Sequence, residues 1–258
     1  TPRSHGLDAR RFEVIKAVKV DDWYRDALER ALASCDKCGG TGNLIVETDD
    51  PLDYQVAACE CKARVQRRAK LIWANIPTEF WRAQTDGLEW NKGHYAAVRA
   101  YASHLDQARR TGDGLLMVGE NGVGKTFSAC HILTNALAQG YTAGYLTSHE
   151  FTVYKRSWED KALLSWLDEM TSADFLVLDE VGKEYRAKGS DWVAAEFDTL
   201  LRRRRGYLLP TIIISNLTVV QFKERYGDSL WSIMKDRMKV LQYAPGDFRG
   251  ELGKRRRK

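Results

Sequence analysis

The sequence has no apolar run near the 18 residues that a membrane-spanning helix needs; its longest, such as LLMV and FLVL, are short. A helical membrane span is thereby excluded. The N-terminal stretch TPRSHGLDARR lacks the apolar centre of a signal peptide, so a cytoplasmic protein is expected. Internal repeats are missing, and low complexity is confined to the tail GKRRRK. The composition of a disordered chain is missing too: 44% of residues are hydrophobic, with 8 Phe, 8 Trp and 11 Tyr among them. What remains is a globular chain whose 258 residues suffice for one large domain or two modest ones.

Net charge is small, +5, but unevenly spread. Residues 201–258 carry +10, which leaves −5 for residues 1–200. A basic end is suited to a polyanion, and a solvated basic face is the plainer alternative.

Periodicity divides the chain near residue 75. Residues 22–33 have helical spacing, NLIVET and DYQVAAC form two short strands around DDPLD, and CKARVQRRAKLIWA forms a second helix. That helix stops at Asn75–Ile76–Pro77, because the residue before Pro is pushed out of the helical region. From residue 94 helices and buried strands alternate. The helix HYAAVRAYASHLDQARR precedes GLLMVG, and KTFSACHILTNALAQG lies between GLLMVG and TAGYLT. SHEFTVYKRSWEDKALLSWLDEM gives one or two helices before DFLVLDE; DWVAAEFDTLLRRR, TIIISN, TVVQFKERYG, SLWSIMKDRM and KVLQYA complete the series. Such alternation predicts a mostly parallel sheet covered on both faces.

Between the first of these strands and its helix stands Gly119-Glu120-Asn121-Gly122-Val123-Gly124-Lys125-Thr126, followed by Phe127. The pattern is G-x4-G-K-[ST] at every fixed position. Glycines let backbone N–H groups close around phosphate oxygens, and the helix N-terminus adds its positive dipole end. Lys125 is assigned to the outer phosphates and the Thr126 hydroxyl to Mg²⁺. FLVLDE ends a buried strand in two acids where open α/β sheets place ligands: Asp179 to hold Mg²⁺ through water, Glu180 to polarise the attacking water. Asn216 ends the next strand and is suited to sensing the terminal phosphate, although a strand-ending Asn can merely start a turn. Arg237, at the end of a surface helix, is either a plain surface cation or an arginine finger for a neighbouring subunit's phosphate.

This order of P-loop, two-acid strand, strand-ending Asn and late Arg resembles the AAA+ ATPases. Within them it is similar to the DnaC/DnaI-type replicative helicase loaders and the related IstB-type transposition ATPases. ANIPTEFW, GENGVGKT, FLVLDEVG, the arginine run leading into PTIIISN, and MKDRM carry the likeness over roughly residues 72–250. The resemblance implies an α/β AAA+ core with a parallel five-stranded sheet of order 5-1-4-3-2 and ATP held between subunits of a homo-oligomer. Only about 15 residues follow the last strand, too few for a C-terminal helical lid. Arg204 is the nearest match to the family's arginine before PTIIISN, and so to a second trans-acting arginine; Arg249 is the candidate second sensor. Both are therefore expected at nucleotide.

Four of the five cysteines form Cys35-x2-Cys38-x20-Cys59-x1-Cys61. Two close pairs suit tetrahedral Zn²⁺, with Gly39, Gly40 and Gly42 allowing a tight knuckle. Disulfides are the rival; Cys-x-Cys is poorly placed for one. Four thiolates leave no open position for a catalytic metal. Cys130, on the P-loop helix, is expected to be a small buried hydrophobe. The expected organisation is a zinc-stapled N-terminal module at 1–75, the ATPase domain at 76–250 and a basic tail at 251–258. By analogy with loaders that grip the helicase through such a module, residues 1–75 would bind a hexameric replicative helicase.

The family further implies single-stranded DNA against FTVYKRSW and GKEYRAKGS, where Lys155, Arg156, Lys183, Tyr185 and Arg186 could track phosphates and stack on bases. The reading is an ATP-hydrolysing helicase loader acting in replication initiation. A transposase-delivering ATPase and a non-hydrolysing ATP-dependent adaptor are the alternatives.

Overall fold

The structure is a computed structural model, and the residues it describes are 20–47, 54–81, 94–157, 159–183 and 192–244. The chain divides into two compact units, residues 1–73 and 74–258.

In the first unit, α1 (Val20–Ala33) is followed by an antiparallel hairpin of β1 (Asn43–Glu47) and β2 (Tyr54–Ala58), then by α2 (Glu60–Trp73). Alternation along β1 sends Leu44 toward the cysteines and leaves Ile45 exposed beside its cross-strand partner Val56. Beyond α2 the chain turns at Asn75, which has φ 55°.

The second unit is a parallel sheet of β3 (Gly114–Val118), β4 (Ala143–Thr147), β5 (Phe175–Val181), β6 (Thr211–Ser215) and β7 (Met238–Gln242). Its spatial order is β4-β5-β6-β3-β7. Counted within this sheet the order is 5-1-4-3-2, as the resemblance implies. β3 and β6 are buried at every position, so both faces of the sheet are covered. β7, at an edge, alternates instead: Leu241 is buried and Val240 exposed. Among the described residues no helix follows β7.

The helices are α3 (His94–Ser103), α4 (Leu105–Thr111), α5 (Lys125–Ala138), α6 (Ser148–Arg156), α7 (Lys161–Ser172), α8 (Trp192–Gly206) and α9 (Val219–Arg237). The sequence predicted one helix across α3 and α4, yet the backbone leaves the helical region at His104. Ser103 Oγ bonds to the carbonyls of Arg99 and Ala100, and His104 Nδ1 lies 2.8 Å from the latter; these side-chain bonds compete with the helix ladder. α9 joins the two helices expected from TVVQFKERYG and SLWSIMKDRM through a kink at Gly227, whose φ is 81°. Capping boxes, Thr147 with Glu150 and Thr218 with Gln221, fix the starts of α6 and α9.

Candidate nucleotide site and cysteine centre

Because β5, β6 and β3 are parallel neighbours, their carboxyl ends bring Asp179–Glu180, Asn216 and the loop from Gly119 to one edge. Gly124 has φ 88°, and a Cβ there would stand 2.7 Å from Tyr95 Oη, so only glycine fits where the loop enters α5. The Lys125 ammonium donates to the Gly119 carbonyl (2.8 Å), the Glu120 carbonyl (2.7 Å) and Asn216 Oδ1 (2.9 Å). Asn216 Nδ2 in turn donates to Asn121 Oδ1 at 2.9 Å, which ties the strand-ending Asn to the loop at two points. Lys125 is buried, and burial lowers its pKa while Asp179 pulls it back up.

Asp179 lies inside the fold, 4% exposed, with three donors on its carboxylate. Thr126 Oγ1 (2.8 Å) and Tyr145 Oη (2.7 Å) both donate to Oδ2, and the Glu180 amide donates to Oδ1 at 2.6 Å. Burial raises its pKa, the three hydrogen bonds oppose that rise, and Glu180 adds to it. Hydroxyl and carboxylate oxygens only 2.8 Å apart are hard donors of the kind Mg²⁺ takes.

Glu180 is exposed, its backbone in the left-handed region at φ 59°, and the β5–β6 register slips between Leu178 and Val181. Such a conformation is costly for a residue with a side chain. Two buried serines hold it, one at the start of α6 and one at the end of β6: Ser148 Oγ donates to the Glu180 carbonyl (2.9 Å) and Ser215 Oγ to the Val181 carbonyl (2.6 Å). The Glu180 carboxylate faces solvent and pairs with Lys183 at 2.7 Å.

Arg204 corrects an expectation. It is 1% exposed and bonds to Thr211 Oγ1 and to the carbonyls of Thr171, Ala173, Pro210 and Asp174. A guanidinium committed in this way inside its own chain is not available to a neighbour's nucleotide. Burial lowers it to about 9, which still leaves it charged at neutral pH. Arg237 sits at the opposite edge of the sheet from the loop. It donates to the Thr111 carbonyl (2.8 Å) and lies 3.9 Å from Asp113, beside the start of β3. A strand of this length separates it from its own P-loop by roughly 13 Å, so it does not reach the phosphate loop of its own chain.

Lys155 lies 3.5 Å from Glu196, and Arg156 stacks on the Trp192 ring at 4.6 Å. Tyr185, Arg186 and Arg249 lie outside the described residues, as does the tail at 251–258. Phe127, half-buried, follows Thr126 on α5, and Cys130 further along that helix is fully buried.

The four N-terminal cysteines meet at one point, with all their sulfurs within 4.8 Å of one another. Cys35–Cys59 and Cys38–Cys61 sulfur separations are each 3.7 Å. Four Zn–S bonds of about 2.3 Å in a tetrahedron place sulfurs about 3.8 Å apart, whereas a disulfide needs about 2.05 Å. The four are free thiols, three of them buried. The Gly42 amide donates to Cys38 Sγ at 3.3 Å; its φ is 73° and a Cβ would meet Leu32 at 2.7 Å. Burial raises the Cys38 thiol, but the Gly42 bond and those of the neighbouring thiols outweigh it and bring it to about 6. Burial and the other sulfurs push Cys61 to about 12.

Neither Tyr145 nor the two serines stood out in the sequence. The signal for Tyr145 is a hydroxyl in the buried strand AGYLT, since a buried Tyr oxygen needs a partner.

Comparison with known proteins agrees with this geometry. The family model described as IstB-like ATP binding protein matches residues 61–242. The replicative helicase loader DnaI of Bacillus subtilis is 31% identical over 117 residues, 45% of this chain and 37% of that protein. An insertion-sequence ATP-binding protein of Geobacillus stearothermophilus is 29% identical over 128 residues, 49% of each chain. The chain thus spans less than half the length of these curated relatives. Among solved structures, the DnaC helicase loader superposes with a TM-score of 0.56 at 21% identity, covering 65% of this chain and 100% of that one. DnaI gives 0.54 at 22% identity, covering 65% and 94%. At such identities the likeness is one of fold.

Proposed function

Because the chain belongs to the family of IstB-like ATP binding proteins, we propose that it hydrolyses ATP in sites shared between subunits and loads a replicative helicase onto single-stranded DNA. The observation that carries this reading is the single constellation of Lys125, Asn216, Thr126, Asp179 and Glu180 at one sheet edge. An adaptor that only binds nucleotide has no use for an exposed carboxylate held at the strand end by two buried hydroxyls.

Glycine amides of the loop and the N-terminus of α5 bind the phosphates. Lys125 exchanges its carbonyl acceptors for phosphate oxygens, and Asn216, already bonded to it, places the terminal phosphate. Thr126 and Asp179 would hold Mg²⁺, which neutralises charge on the outer phosphates when bound. Glu180 takes the proton of the attacking water. Lys183 is its ion-pair partner in the resting site. Arg237 of the adjacent subunit stabilises the charge that develops on the transferred phosphoryl group.

Cys35, Cys38, Cys59 and Cys61 would hold Zn²⁺ as a staple in the first unit, in a reducing compartment where they do not pair as disulfides. That unit takes the helicase; Lys155, Arg156, Lys183, Tyr185 and Arg186 take DNA. A transposition role, delivering a transposase to target DNA, is the second reading, favoured by the insertion-sequence relative. Helicase or transposase retained on the immobilised chain decides between the two.

One experiment tests the shared site. Lys125→Ala and Arg237→Ala chains are each expected to lose nearly all turnover and to regain it on mixing, since a mixed interface joins an intact P-loop to an intact arginine. Single-stranded DNA is expected to raise the wild-type rate. Full activity of Lys125→Ala alone would overturn the reading.

A further inference from the structure

We infer that Tyr145 is a positioning residue for the metal, acting through Asp179 to decide which of its oxygens the metal's water meets. The inference rests on the ATP-binding reading of this site.

Asp179 offers about four lone-pair positions when ionised. Tyr145 and Thr126 both occupy Oδ2, and the Glu180 amide occupies one position of Oδ1. One position on Oδ1 is left, enough for a single water of a hydrated cation and too little for a bidentate grip. Mg²⁺ keeps several of its waters and is suited to such a one-point contact.

Thr126 cannot set this arrangement by itself, because its oxygen is also the one assigned to the metal, and its proton can turn when the lone pair is engaged. Tyr145 has no such second duty. Its ring is fixed in β4, 4% exposed, and its hydroxyl reaches Asp179 from the strand beside β5. Thr147 and Asp179 are register partners, so Tyr145 lies two residues back along the neighbouring strand on the same face of the sheet. Without Tyr145, Oδ2 keeps one donor and the carboxylate can rotate about its χ2 bond, a soft two-fold torsion.

The test is Tyr145→Phe, which keeps the ring and removes only the hydroxyl. Affinity for a fluorescent ATP analogue is measured in EDTA and across a Mn²⁺ titration, alongside a thermal unfolding midpoint. Affinity in EDTA is expected to match wild type, while the Mn²⁺ concentration for half-saturation rises roughly tenfold, as for loss of an outer-shell ligand partner. An Asp179→Asn background is expected to abolish the difference between Tyr and Phe. If half-saturation by Mn²⁺ is unchanged in Tyr145→Phe, or if affinity falls equally with and without metal, the inference is wrong. If the wild-type chain binds no nucleotide at all, the ATP-binding reading fails instead.

Discussion

Replacing Arg204 by methionine removes one guanidinium while retaining most of its volume. The structure makes the cost a matter of stability. Four of its five hydrogen bonds are shorter than 3 Å, at 2.9, 2.8, 2.8 and 2.7 Å, and three of those four acceptors are backbone carbonyls. These join α8 to the end of α7 and to the segments entering β5 and β6. Each buried acceptor left alone costs about 1–3 kcal/mol before relaxation. Carbonyls have a second lone pair, and Thr211 can turn toward Leu209, so the sum is best set at about 4 kcal/mol, within the range for breaking a buried charged network. Against a typical total stability of about 5–15 kcal/mol that is a large share. At about 2–4 °C per kcal/mol for a unit of this size, the thermal midpoint should fall by roughly 10 °C. Circular dichroism against temperature reads the midpoint. ATP affinity, measured well below the transition, should stay within about twofold of wild type, since no arm of Arg204 points toward the loop at Gly119. A variant with an unchanged midpoint and abolished turnover would refute the buried-network account and restore Arg204 to the nucleotide.

Asp179→Asn should raise the midpoint at neutral pH while removing metal-dependent nucleotide binding. Burial lifts the Asp179 pKa in the fold above its ordinary 3.8, so the folded chain binds more protons there than the unfolded one. Its contribution is fully present below 3.8 and lost as pH rises through the folded value; the advantage of Asn should therefore vanish near pH 3, as thermal scans across pH would show. For the cysteine centre, purified protein should carry about one equivalent of zinc, and a chelator should lower the helical signal of the first unit, where the cysteines form a packed cluster with Leu32 and Leu44. Less than about half an equivalent on metal analysis would remove the four-thiolate site.

Much of the sheet and part of the site were legible in the sequence because their information is local. Gly124 and Lys125 adjoin where a helix begins just after a buried strand, and Asp179 and Glu180 adjoin near the end of another. The cysteines were legible for the same reason, as two close pairs. The break at His104 was not, because a helical hydrophobic pattern runs through it and only the bonds of Ser103 and His104 to the preceding turn interrupt the ladder.

The run Arg202–Arg205 shows where the sequence stops. Four identical side chains fan around α8 at about 100° apiece, and nothing in their letters tells them apart. The fold gives each a different end: Arg202 pairs with Asp198, Arg203 with Asp168, Arg205 with Asp236, and Arg204 turns inward. By itself the sequence determined a G-x4-G-K-T loop, a two-acid strand, a strand-ending Asn and a four-sulfur set, since each is written in spacing along the chain. Only tertiary structure decided that Lys125 meets Asn216, that Tyr145 secures Asp179, and that Arg237 stands at the far edge of the sheet from its own P-loop. Those facts depend on which strands are neighbours and on which way a side chain faces, and burial sets both.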